Sequence, residues 1–208
     1  FELQTSQLLR YHVTDPAVFY SGDDVWQIPK EIYGAELVPM EPYHISGQLA
    51  ADLRPEFLLL QPLTPLARPN LVAWLAARSD APNYGKLEVL RFPSQTPILG
   101  PEQITALINQ NPQISQQFGL WSRSGAEVVQ GNLLVMPVGE ALLYVEPVYL
   151  KARRGGRPTL TRVVVSDGTR IAMEPTLSRA IDALLDPGRS LPASEALLNP
   201  GGETPALP

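Results

Sequence analysis

Two histidines and a scatter of carboxylates are the general acid–base equipment of this chain. His12 stands close in sequence to Asp15, Asp23 and Asp24, and an imidazole with carboxylates is a donor set that first-row metals accept. Their spacing matches no metal signature, and Asp23-Asp24 lacks the glutamate that closes a calcium loop. His12 adjoins an Asp-Pro turn and His44 sits inside an alternating strand, so both read as structural residues, with no metal and no cofactor expected. Ser122-Arg123-Ser124-Gly125 has the look of a nucleophile in a tight turn. Neither G-x-S-x-G nor S-x-x-K occurs, however, and the segment reads as a helix end with its arginine set against the dipole. The H-E-x-x-H, P-loop and G-x-G-x-x-G signatures are absent as well.

Glycoside hydrolysis needs two carboxylates facing each other across a cleft. Glu41, Glu146 and Glu174 each precede a proline at a strand edge. Nothing in the spacing brings two of them together, and a glutamate before proline also marks an edge protected against pairing. The aromatics Tyr11, Phe19, Tyr20, Trp26, Tyr33 and Tyr43 either line a sugar or peptide groove or staple an extended arm to a sheet. No residue is assigned a catalytic role. The alternative, a ligand-binding domain, rests on Trp26, Tyr43, Glu41 and Glu146, and requires a concave pocket near Trp26 and Tyr43 with at least two convergent carboxylates.

The elements that must position these residues are bounded by composition. A chain of 208 residues suits one domain with tails. The 22 prolines are about twice ordinary usage and imply ordered connections, edge strands and an unstructured tail. A net charge of −5 offers no cationic footprint for nucleic acid. There is no cysteine, which removes thiol catalysis, cysteine-ligated zinc and disulfides together. No apolar run is long enough to span a membrane. The chain opens on Phe1 without a secretory signal, so it reads as a mature or excised fragment, upstream of which any membrane anchor would lie.

Residues 1–10 show no clear periodicity and read as a linker, 11–185 as one domain, and 186–208 as a disordered Pro/Gly-rich tail. Asp15-Pro16 starts a short helix, and Val25 to Ile28 alternates as a brief strand. Pro42 to Leu49 and Phe57 to Gln61 read as paired strands. Asn70 is placed to cap a helix with Leu71, Trp74 and Leu75 on one face; Lys86 to Phe92 is the next strand. Helices follow from Pro101, with Ile104, Leu107 and Ile108 inward, and from Pro112, with Ile114, Phe118 and Trp121 inward and Gly125 as terminator. Glu127 to Val138 and Ala141 to Lys151 form a hairpin across Gly139-Glu140, a type II′ signal. Leu160 to Ser166 and Thr169 to Met173 pair across Asp167-Gly168, a type I′ signal, and Thr176 caps a last helix. The fold class is α+β, a mostly antiparallel sheet with three or four packed helices.

Two stretches, Ile114 to Ala152 and Asn70-Leu71-Val72-Ala73-Trp74-Leu75-Ala76-Ala77-Arg78-Ser79-Asp80, carry a resemblance to a known family. Tyr11-His12-Val13-Thr14-Asp15-Pro16, Pro62-Leu63-Thr64-Pro65, Tyr84-Gly85-Lys86 and Gly100-Pro101-Glu102-Gln103-Ile104 extend it. Together they resemble uncharacterised protein family 0182, large bacterial membrane proteins with several membrane helices followed by an extracytoplasmic region. The resemblance implies that this chain is the core of that region, outside the cytoplasmic or cell membrane, held there by an anchor absent from the chain. It transfers no catalytic or binding residue. The expected function is assembly or recognition at the cell envelope without catalysis, through protein partners or self-association of the full-length protein. The alternative is an envelope enzyme or a binder of a glycan, lipid or peptide.

Overall fold

The computed structural model describes residues 1–34, 36–49, 54–93, 95–139, 141–153 and 155–192. The fold is α+β, as expected, with two antiparallel sheets, a two-stranded ribbon and five helices among the described residues.

Residues 1–10, read as a linker, are helical and packed on the first sheet. Helix α1 (Glu2–Tyr11) carries an acidic residue in its first turn and Arg10 in its last, as the helix dipole favours. It buries Thr5 and packs Leu8 and Leu9, with Phe1, against Trp26, Leu63, Ala73 and Leu75. A short helix needs only this much contact to be held, so its sequence shows no full apolar stripe. Helix α2 (Pro16–Ser21) begins as expected, with Asp15 Oδ1 accepting the Ala17 N–H and proline in the first turn.

Strands β1 (Trp26–Gln27), β4 (Tyr43–Gly47), β5 (Glu56–Pro65), β6 (Ala73–Arg78) and β7 (Leu87–Arg91) make the first sheet. Its order is β1-β5-β6-β7, with β4 also paired to β5. Strands β2 (Lys30–Tyr33) and β3 (Glu36–Pro39) pair as a separate ribbon. The helix expected from Asn70 is strand β6. Trp74 faces the main core while Ala73 and Leu75 face the opposite side under α1, so the run is apolar because it is covered on both faces. The spacing of Leu71, Trp74 and Leu75 mimics a helical stripe by coincidence, an ambiguity that periodicity does not resolve for short apolar runs.

Helices α3 (Pro101–Gln110) and α4 (Pro112–Arg123) start where proline and the caps place them. Asn111 ends one and caps the other, its Oδ1 accepting the Gln113 and Ile114 N–H groups at 3.1 and 3.2 Å. Gly100 leaves no room for a side chain, since a Cβ there would lie 1.8 Å from Pro69 O.

The second sheet contains β8 (Ala126–Gln130), β9 (Leu134–Val138), β10 (Ala141–Ala152), β11 (Thr159–Ser166), β12 (Arg170–Glu174) and β13 (Leu191–Pro192). Its order is β13-β12-β11-β10-β8, with β9 also on β10. Tyr144, Val148, Val164 and Ile171 face α3, α4 and Trp74. Val145, Val163, Val165 and Ala172 face helix α5 (Leu177–Leu185), which Thr176 caps. This two-sided burial is the alternation expected of a central sheet.

Two turns refine the reading. Gly139 takes φ 62° between Val138 and Ala141, as a glycine-first hairpin turn requires. In the next hairpin the turn centres on Gly168-Thr169. Asp167 N–H donates to Arg170 O, and positive φ falls on Gly168 with no non-glycine residue sharing it, which rules out type I′. Of the segment 186–208, the described part runs through a turn at Asp186 into β13, which pairs with Arg170 and Ile171. The remainder of the expected tail lies outside the described residues.

Candidate functional site

The expected strand from Glu127 to Val138 is two strands separated by a bulge. Gln130 pairs with Val148 and Leu134 with Val145, so the five residues 130–134 oppose the four residues 145–148. One residue is extra, which bends the strand and frees backbone donors. The carboxylate of Glu31, from β2, fills that opening. Its Oε1 accepts from Asn132 Nδ2 at 2.9 Å and its Oε2 from the Leu133 N–H at 2.7 Å. Gly131 lies against β10, where a Cβ would meet Pro147 and Tyr149 at 2.9 Å.

Glu146 lies on the core face of β10, 1 % exposed. Its Oε1 accepts from Gln130 Nε2 at 2.8 Å, while Oε2 has no partner. Burial raises its pKa to about 7, the Gln130 bond opposes this, and the charge of Glu31 adds to the rise. Burial also raises Glu31 against the pull of Asn132 and Leu133, and Glu41 pushes it the same way. Tyr43 Oη closes the group beneath, donating to Val135 O at 2.8 Å and accepting the Val135 N–H at 3.1 Å. Burial pushes that phenol well above its ordinary range.

Above Glu31 opens a cleft of about 760 Å³. Its walls are α1 (Glu2, Thr5, Ser6), the β2–β3 ribbon (Glu31, Tyr33, Val38) and the approach to β4 (Met40, Glu41, Pro42), with Gln61 and Asn132 at its base. Among the described residues, three carboxylates line it and no lysine, arginine or histidine does. Tyr33, 53 % exposed, stands at its rim and also borders an adjoining cavity of about 410 Å³ against Gly131, Pro147 and Tyr149.

The four residues named for ligand binding meet different fates. Glu41 lines the cleft; Tyr43, half-buried, and Glu146, buried, are not among its walls. Trp26 is elsewhere, stacked on His12 at 3.6 Å with the Arg91 guanidinium over its ring at 5.0 Å, and its indole N–H donates to Asp24. Of the Tyr11-to-Tyr43 aromatics, only Tyr33 borders the cleft, while Tyr11 and Tyr20 are exposed and Phe19 stacks beside them. Glu174 is remote, paired with Arg189 at 2.7 Å.

The metal grouping is dispersed too. His12 Nδ1 donates to Leu8 O and its Nε2 lies 3.4 Å from Asp24, but Asp15 caps α2 and Asp23 accepts from Ser21. Among the described residues no group of three such side chains can hold a metal. His44 stacks on Phe57, and Ser122 O accepts from Arg153 at the end of α4. Glu31, Asn132 and Gln130 were not singled out in the sequence. The available signal was Gly131-Asn132 inside an apolar strand, a pattern that marks bulges.

The fold and cleft define an α+β domain, and no solved structure matches it. The family model described as "Uncharacterised protein family (UPF0182)" matches residues 1–121. The chain belongs to that family. A UPF0182 protein of Prochlorococcus marinus (strain MIT 9303) is 74 % identical over 89 % of this chain and 20 % of its own length. Relatives from Synechococcus sp. (strain CC9311) and Trichodesmium erythraeum (strain IMS101) are 72 % and 52 % identical, over 89 % and 87 % of this chain and 20 % and 18 % of their own. The chain thus spans about a fifth of the length of the curated relatives it matches, and corresponds to one domain of a larger protein. No helix among the described residues is long and apolar enough to cross a membrane.

Proposed function

We propose that this domain lies outside the cytoplasmic membrane, carried by a larger membrane protein, and serves there as a recognition module and not as an enzyme. The extracytoplasmic location rests on the resemblance to membrane proteins whose soluble region follows their membrane helices. What supports recognition is the cleft over Glu31. It is of ligand-binding size, yet both oxygens of its buried carboxylate are held by Asn132 and Leu133, and Glu146 is sealed below. Carboxylates committed to framework bonds shape and charge a surface; they are poorly placed to shuttle protons to a substrate.

A second reading, a binder of a small envelope ligand, has one observation in its favour. Glu31 and Glu41 do converge on one concave site beside an exposed tyrosine. A photo-reactive residue at Tyr33 of the full-length protein, activated in cells, separates the two. Recognition predicts an adduct with another protein chain. The small-ligand reading predicts no protein adduct, with labelling at Tyr33 suppressed by glycan, lipid or peptide fractions. A labelled site indifferent to both would overturn both.

A further inference from the structure

The chain carries a net charge of −5, yet one corner of the second sheet is cationic. The sequence Lys151-Ala152-Arg153-Arg154-Gly155-Gly156-Arg157 joins β10 to β11, whose pairing extends to Leu150 opposite Thr159. Helix α4 ends at the same corner. Arg153 donates to Ser122 O at 3.1 Å, and the Arg162 guanidinium lies over the Trp121 ring at 5.6 Å. These contacts gather Arg123, Arg153 and Arg162 about the end of α4, with Lys151 and Arg157 on the adjoining hairpin. Among the described residues of 120–127 and 150–162, Glu127 is the one carboxylate, and it lies 3.6 Å from Lys151. Arg123, Arg153 and Arg157 are exposed. Apolar side chains stand among these cations. Leu120, in the last turn of α4, is 48 % exposed, Leu160 of β11 is 51 % exposed, and Trp121 is half-buried.

We infer that this corner docks on a membrane surface that presents anionic phospholipid headgroups. Clustered lysine and arginine are drawn to such a surface. The exposed leucines and the tryptophan beside them then enter the boundary between headgroups and acyl chains. Arginine suits both halves of the contact, since its stem lies on apolar neighbours while its charge stays with water or phosphate. The acidic remainder of the chain does not prevent this. Interactions between exposed charges are screened beyond roughly 8–10 Å at physiological salt, and a flat surface meets the corner first. A nucleic acid would match the arginines with phosphates, but it gives the two leucines no apolar medium to enter. The inference stands apart from the role of the cleft, which is lined by other residues.

The test uses the 208-residue chain, whose own helices and sheets close its apolar clusters. It is mixed with vesicles of phosphatidylcholine, alone or containing phosphatidylglycerol. The chain should sediment with the anionic vesicles and not with the neutral ones, and less so as salt is raised. A basic residue near an anionic surface contributes roughly fivefold to binding, so Arg153→Glu/Arg157→Glu should weaken it by more than about tenfold. Arg68→Glu/Lys86→Glu, the same change of charge in connections of the first sheet, should leave it nearly unaltered. Brominated lipid should quench Trp121, and Trp121→Phe should remove the quenching, because Trp26 and Trp74 are 2 % exposed. Thermal melts check that each variant is folded. Should the Arg153/Arg157 pair melt early, Arg157→Gln on the exposed tip should still weaken binding by a smaller factor. Absence of sedimentation, equal binding to neutral vesicles, equal loss in the two charge variants or absence of quenching would overturn the inference. So would displacement by inorganic phosphate at matched ionic strength, which would assign the corner to a soluble anion.

Discussion

The same chemical change should have opposite consequences at the two buried glutamates. Glu146 has its pKa raised from 4.5 to about 7, chiefly by burial. The folded chain therefore holds this proton more tightly than the unfolded chain. The stability it contributes is full below pH 4.5 and is lost as pH rises through about 7, a loss on the order of 3 kcal/mol. Glu146→Gln should abolish that part of the pH dependence, leaving stability at pH 5 little changed and raising it at pH 8. Denaturant unfolding of the variant and the parent at both pH values checks this. Glu31 instead accepts two donors, from Asn132 and Leu133. Glu31→Gln points an amide at one of them, and the same unfolding assay at neutral pH should show a cost of about 1–3 kcal/mol. Neither role was legible in the sequence. Glu146 was visible as a strand glutamate before proline, but its burial depends on β8, β11 and the core face of β10 together. Glu31 acts across about a hundred residues of chain, a contact that no local pattern encodes.

Elements were legible where a local device fixes them. Proline at a first turn, Thr176 as a cap, and Gly139 at positive φ each act within four residues, and each stands where expected. Asn111→Ala should cost about 1 kcal/mol by removing the acceptor for two N–H groups at the start of α4, read as a lowered denaturant midpoint. Elements were misread where tertiary burial decides. β6 is apolar on both faces because sheet and helices sandwich it, and α1 is held by contact with the Trp26 group instead of its own periodicity. The bulge at residues 131–133 lies between these cases, since Gly131-Asn132 announces an irregularity without saying what fills it. Gly131→Ala forces a Cβ into Pro147 and Tyr149. It should destabilise the chain by about 1–3 kcal/mol, as overpacking does, and should perturb the Glu31 anchor seen by amide exchange at Leu133.

At the scale of the whole molecule, the α+β class was readable from the succession of strand and helix patterns, and the family from short matched segments that run along most of the chain. The cleft was not, because one of its walls is α1, in residues that read as a linker, and another is the small β2–β3 ribbon. Its floor joins Gln61 of the first sheet and Glu31 of the ribbon to a bulge in the second sheet, so it exists only once all three are in place. The chain carries a carboxylate-lined cleft and spans about a fifth of the length of the curated relatives it matches. The claim that matters most is that the cleft recognises another protein. The most direct measurement compares crosslinked full-length protein, purified from cells, with its Tyr33→Ala/Glu41→Lys double variant. Both positions are exposed and should leave the level of the protein unchanged. The account predicts that at least one protein recovered with the parent is lost from the double variant. Recovery of the same partners in the same amounts would contradict it.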